Sequence, residues 1–195
     1  FSIENEPVVE LVNNREREYI FADLPDIGYS TDIDTVMASS YQVKKQLQQI
    51  VKIEQPITNT LLYKRILRIW NLTRVTTRLQ VFIDNLLEDA YKDPLSGDTI
   101  IYWEDEEKAK DCDFYRINSK RDILDIPILE VMSAARYAIE QQISMPTEDL
   151  KRLTSQLLGF SRKGNNLDMV TEQTIQLLID KGIFSHANGM VSMNN

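Results

Sequence analysis

The sequence predicts a mainly α chain with small β-hairpins, arranged as tandem winged helix-turn-helix units. Three amphipathic segments followed by a hairpin signal occur twice in the same order, and the two runs align residue by residue. Composition agrees with this: 195 residues with 43% hydrophobic and 27% charged side chains suit a globular chain with a packed core. The same values exclude disordered, collagen-like and disulfide-scaffold classes.

Residues 1–37 show no sustained period and are punctuated by Pro7, Pro25 and Gly28, so they read as a linker or docking arm. Only Tyr19-Ile20-Phe21 suggests a short extended piece. A first unit with its connecting segment follows over 38–126. Ser39 to Gln42 has the form of a capping box, and Val43, Leu47, Ile50 and Val51 then share one helical face. Gln55-Pro56-Ile57 breaks that helix, and Thr58 caps a second one bearing Leu61, Leu62, Ile66 and Ile69. After a turn at Asn71, Val75, Leu79, Phe82, Ile83, Leu86, Leu87 and Ala90 form the stripe of a third helix. Asp93 to Asp98 reads as a hairpin tip, and the β-branched and aromatic residues 99–103 suit a strand.

The second unit, 127–195, repeats the plan. Its first helix covers 128–143, Met145-Pro146 is the break, and Thr147 caps a helix with Leu150, Leu153 and Leu157. Leu167, Ile175, Leu178 and Ile179 mark the third helix, which Gly182 closes. Residues 183–193 form a hairpin about Asn188-Gly189, a dipeptide at ease at positive φ. Ile69 to Arg74 lies over Leu157 to Arg162, 88 residues on, whereas Ile83, Leu86, Leu87 and Gly97 lie over residues 92 further along. Four extra residues are therefore expected between helices two and three of the second unit, around Lys163 to Asn166. The capping threonine, the arginine and the turn glycine are read as falling in register.

Several chemistries are excluded. Cys112 has no intramolecular disulfide partner and no secretory leader is recognisable, so a cytoplasmic setting is expected. No apolar run reaches the roughly 18–20 residues of a membrane span. His186 is the single histidine, which leaves no zinc-like spacing, and Ser-His-Asp catalysis would depend on a residue beside a turn. Gly159 and Gly164 have P-loop spacing, but Asn165-Asn166 stand where the Lys and Ser/Thr should be. Asp26, Glu106 and Lys108 resemble a nuclease element, yet they are far apart and Glu104 to Lys110 reads as a solvated charge run. No metal or other cofactor is expected, and this fragment is not expected to be an enzyme.

The net charge of -8 argues against a protein that coats nucleic acid, so any such site must be a local patch. One exists: no Asp or Glu occurs between Gln55 and Ile83, where Lys64, Arg65, Arg68, Arg74 and Arg78 cluster with Thr77. A smaller patch comprises Lys151, Arg152, Arg162 and Lys163, and Gly164 would let backbone N–H groups approach a phosphate. In helix-turn-helix proteins the second helix of the motif enters the major groove and its surroundings contact phosphate, so these eleven residues are the candidate DNA contacts. The competing reading is a solvated cationic face on a protein-interaction scaffold. Trp70, Trp103, Phe82 and Phe160 fall on apolar faces and read as core; Tyr102 and Tyr115 are undecided.

Gln55-Pro56-Ile57 with its Leu/Arg-rich helix, the helix over 128–143, and Leu158-Gly-Phe-Ser-Arg-Lys-Gly164 leading to Leu178-Ile-Asp-Lys-Gly182 together resemble a known module. It is an uncharacterised C-terminal domain of large bacterial superfamily-one helicase-like ATPases, and the resemblance spans about residues 40–193. In that family the ATPase motor, and often a Vsr-like nuclease domain, precede the module. The resemblance thus implies DNA, together with helicase and nuclease domains of the same polypeptide, as partners. It brings no catalytic residues, and it accounts for a chain that starts at Phe1 without a Walker motif.

Overall fold

A computed structural model describes residues 13–117 and 119–194; residues 1–12 of the expected arm lie outside them. The chain is mainly helical with small sheets. The described residues open with strand β1 (Glu16–Glu18) and a short helix α1 (Ile33–Ala38), which abuts α2 (Ser40–Glu54). The expected capping box at Ser39 does not form, because α1 runs straight into α2 and Ser39 Oγ instead donates to the Thr35 carbonyl at 3.0 Å. Six residues are too few to display a helical period, so α1 leaves no pattern in the sequence.

Next come β2 (Ile57–Thr58), α3 (Asn59–Ile69), α4 (Thr77–Leu86), β3 (Tyr91–Lys92) and β4 (Ile101–Trp103). The break before α3 is therefore a strand: β2 pairs antiparallel with β4, which also pairs with β3, in the order β2-β4-β3. Val43, Leu47 and Ile50 of α2, Leu62 and Ile66 of α3, and Leu79 and Ile83 of α4 close a core between helices and sheet. Each is at most 1% exposed, so truncating any of these leucines or isoleucines to Ala would cost about 2–5 kcal/mol. Trp70, Trp103, Tyr102 and Tyr115 are all buried, whereas Phe82 and Phe160 are partly so.

A connecting stretch holds α5 (Glu106–Lys110), β5 (Tyr115–Ile117) and one 3-10 turn (Ile123–Asp125). The second run then comprises α6 (Ile128–Glu140), β6 (Met145–Pro146), α7 (Thr147–Leu157), α8 (Asn165–Asp180), β7 (Phe184–Ala187) and β8 (Met190–Met193), with strand order β6-β8-β7. Both runs thus have the same element order and the same strand order.

The structure corrects the register of the repeat. Segments 70–76 and 158–164, which join the second and third helices, are equally long, and α3, α7 and the starts of α4 and α8 all keep the spacing of 88. The four extra residues are not in the loop. Instead α8, with 16 residues, runs six residues longer than α4, with 10. Thr58 caps α3 through Leu61 N, but its counterpart at the same spacing is Pro146, and Thr147 is already helical with its hydroxyl directed to the Gly189 carbonyl. Gly97 does not play the part of Gly189, which sits at φ 76°. Its loop is shaped by Asp93, which accepts from Leu95 N at 2.8 Å.

The described part of the arm is not a free linker. β1 pairs in parallel with β5, and the segment continues along the first unit through hydrogen bonds from Ile27 N to the Ile69 carbonyl and from Thr31 Oγ1 to that of Trp70. Tyr19 plugs the junction. Its ring lies 5.0 Å from the Arg116 guanidinium and 4.2 Å from that of Arg121, while its hydroxyl meets Glu54 and Arg65. Glu130, fully buried on α6, binds both Arg116 and Arg121, and Arg116 reaches back to the carbonyls of Glu54 and Pro56. With Lys64 paired to Asp125 at 2.6 Å, these contacts tie the two units together.

Candidate nucleic-acid interface

The turn between the second and third helices is built the same way twice, bond for bond. After α3, Trp70, Asn71 and Leu72 donate their N–H groups to the carbonyls of Ile66, Arg68 and Leu67. After α7, Leu158, Gly159 and Phe160 donate to Thr154, Gln156 and Ser155. This is helix termination through a left-handed residue, supplied by Asn71 at φ 48° and by Gly159 at φ 89°. The apolar residue that follows, Leu72 or Phe160, packs onto the core. A polar stretch then leads to the N-caps Thr76 and Gly164, of which only Thr76 caps with its side chain, to Leu79 N at 3.2 Å. Leu79 and Leu167 anchor the next helix in each unit.

Within this frame Arg74 and Arg162 occupy equivalent places, each exposed just ahead of a helix N-terminus. Neither has a carboxylate partner among the described residues, and the same holds for Lys163. Their charge is therefore free to meet an anion, aided by the N–H ends of α4 and α8.

The other predicted contacts have partners. Arg65 does not face outward: its guanidinium grips the buried Glu54 carboxylate at 2.8 Å and the Tyr19 hydroxyl. Burial opposes its charge, but the hydrogen bonds to Glu54 more than compensate and raise its pKa. Lys64 spends its charge on Asp125. Lys151, with only 8% of its side chain exposed, bonds Asp168 at 2.7 Å, Glu148 at 3.3 Å and Glu172 at 3.5 Å. Burial works against its charge too, yet these carboxylates push its pKa up. Tyr63 stands where Lys151 stands, 88 residues earlier, and hydrogen-bonds Asp84, the counterpart of Glu172, at 2.8 Å. Lys151 and Tyr63 therefore do one job, joining the second helix to the third. Arg68 pairs with Asp23 at 3.5 Å, Arg78 with Asp34 at 2.8 Å and Arg152 with Asp149 at 2.8 Å. Thr77 is exposed at the start of α4 and Gly164 caps α8 without strain.

A cavity of about 520 Å³ opens beside the second turn, between α7 and the start of α8, with Arg162, Lys163 and Gly164 on one rim and Glu148, Asp149 and Asp168 among its other lining residues. The nuclease residues do not converge on shared chemistry. Asp26 accepts from Gly28 N at 2.7 Å, Lys108 pairs with Glu104, and Glu106 pairs with Lys110 at 3.2 Å. Among the described residues no group of three or more His, Cys, Asp or Glu side chains is placed to hold a metal ion. His186 is exposed on β7, and no described helix is long and apolar enough to cross a membrane.

Compared with known proteins, residues 38–81 match the family described as protein of unknown function (DUF3320). No curated protein and no solved structure matches the chain.

Proposed function

We propose that the chain is a tandem winged helix-turn-helix module that holds the phosphate backbone of DNA, adds no catalysis itself, and serves a longer helicase-like protein. The winged assignment is supported by the order helix, strand, helix, helix, hairpin in each unit, with the early strand added to the hairpin's second strand. The observation that carries the DNA reading is the pair Arg74 and Arg162, exposed and without a carboxylate partner among the described residues, at the same point of two identically bonded turns. That point, ahead of the third helix, is where helix-turn-helix proteins meet phosphate. Backbone holding fits better than base reading, because α8 carries Asp168, Glu172 and Asp180 and no Lys or Arg. The helicase context rests on the resemblance of the Leu158 to Gly164 and Leu178 to Gly182 segments.

The test is fluorescence anisotropy of residues 1–195 with a labelled duplex across a salt series. The parent should bind at low salt, and Arg74→Ala with Arg162→Ala should reduce the log–log salt slope by about 1–2. The second reading, a protein-interaction scaffold, draws support from the exposed Val81 and Met169, which are equivalent positions on α4 and α8. No binding at low salt would move the function there.

A further inference from the structure

The arm bears on two cations, Arg68 and Arg78, that flank Arg74 of the proposed DNA surface in sequence. Along residues 20–34 its hydrogen bonds follow the end of α3 and the turn after it, at Ile69, Trp70 and, through Asn71 Nδ2 to the Tyr29 carbonyl, Asn71. In that position Asp23 meets Arg68 at 3.5 Å and Asp34 meets Arg78 at 2.8 Å. Phe21 lies under the guanidiniums of Arg65 and Arg68, at 4.4 and 4.9 Å from its ring centre, which fixes the arm's course. The second unit has no such cover. Among the described residues, every hydrogen bond to 158–164 comes from α7 or α8, and the counterparts of Arg68 and Arg78 are the uncharged Gln156 and Asn166.

We propose that the arm is an autoinhibitory strap that sets the DNA affinity of the first unit, with Asp23 and Asp34 occupying cations that backbone phosphates would otherwise take. This inference rests on the DNA reading above. The geometry suits exchange and not permanent closure. Arg78 and Asp34 keep 57% and 75% of their side chains exposed, and Arg68 and Asp23 keep 47% and 85%, so each pair is weak and salt-screened. A phosphate can displace the carboxylate while Tyr19, Ala22 and Leu24 keep the arm anchored. Freeing both arginines adds two phosphate contacts to the complex.

Duplex anisotropy over a salt series tests this with Asp34→Asn and Asp23→Asn, singly and together. Asp26→Asn is the control, since it changes net charge equally on the same arm but its carboxylate accepts from Gly28 N and meets no cation among the described residues. Asp34→Asn should tighten binding at low salt on the order of three- to tenfold and steepen the salt slope by up to about 0.9. Asp26→Asn should show only the small gain expected from net charge, and Arg78→Ala added to Asp34→Asn should cancel that variant's gain. A parent that binds duplex while Asp34→Asn behaves like Asp26→Asn would overturn the strap and leave the DNA reading standing. No binding by the parent or any variant at low salt would remove both.

Discussion

Glu130→Ala should be among the most damaging single substitutions in the chain. The carboxylate is fully buried and accepts four hydrogen bonds, from Arg116 N at 3.0 Å, Arg116 Nη2 at 2.5 Å, and Arg121 Nη1 and Nη2 at 2.7 and 2.9 Å. Truncation leaves two guanidiniums, 6% and 2% exposed, without their counter-charge. Breaking a buried pair in this way costs about 3–5 kcal/mol, against a total stability on the order of 5–15 kcal/mol. Some buried ion triads can be replaced by apolar residues at no cost, but this one should not be. Arg116 also serves the Glu54 and Pro56 carbonyls at 2.7 Å each, so an apolar residue in its place would strand two buried acceptors at a cost of about 2–6 kcal/mol. Urea unfolding followed by circular dichroism measures the loss, and an unchanged m-value would assign it to stability alone. Burial by itself would raise the Glu130 pKa, but Arg116 and Arg121 outweigh burial and hold it below its usual value. Its contribution is therefore present above about pH 4.5 and lost as pH falls through the lower folded value, so the variant should also lose part of the acid limb of the stability profile. A cost under about 1 kcal/mol would refute the reasoning.

Three further outcomes are expected. Gly159→Ala should cost about 1–2 kcal/mol, because φ 89° strains any side chain even though no atom lies within 4 Å of the added Cβ, whereas Asn71→Gly should be near neutral; thermal melts compare them. Thr76→Ala should cost about 1 kcal/mol by removing the cap on Leu79 N, and Gly164→Thr, which copies that cap into the second unit, should gain a few tenths of a kcal/mol, or roughly that, in the same assay. Burial and Glu54 push the Tyr19 hydroxyl up to about 12. The folded value exceeds the unfolded one, so its stabilisation should be complete below about pH 10 and lost as pH rises toward 12, which alkaline denaturation of the parent and of Tyr19→Phe would resolve.

The longer helices were legible because each buries one stripe, as with Leu79 and Ile83 on α4, and the turns because Asn71, Gly182 and Asn188-Gly189 mark left-handed backbone, whereas Gly159 was not read as a turn. Strands β2 and β6 were not, since two residues cannot show alternation and their pairing partners are more than forty residues away. The spacing of 92 put four extra residues in a loop, whereas the structure has six more residues in α8 than in α4: apolar residues one helical turn apart share a face, so pattern alone cannot say whether residues enter a loop or a helix. The partners of the candidate cations were hidden for the same kind of reason. A basic run between Gln55 and Ile83 lacks local acids, but Glu54, Asp125, Asp23 and Asp34 arrive from elsewhere in the fold. The buried cluster of Glu130, Arg116 and Arg121 was missed because charged residues separated along a polar connecting stretch look solvated until the fold brings them together.

The two units keep one turn and have diverged in what surrounds it, and this fixes an order of importance between Arg74 and Arg162. The first turn of α4 contains no acid, whereas Asp168 lies in the first turn of α8 and Arg162 shares its cavity with Glu148, Asp149 and Asp168. Carboxylates around a cation repel the incoming phosphate and offset much of what the cation offers, since charges of both signs act over a Debye length of about 8 Å at physiological salt. Arg74→Ala should therefore weaken duplex binding more than Arg162→Ala and should remove close to one phosphate contact, about 0.9 in the salt slope, with Arg162→Ala removing less. The comparison is internal, because both substitutions change net charge equally and lie at exposed positions of equivalent turns. Equal losses, or the larger loss from Arg162→Ala, would mean that the local carboxylates do not govern the contact and that the second unit carries the DNA.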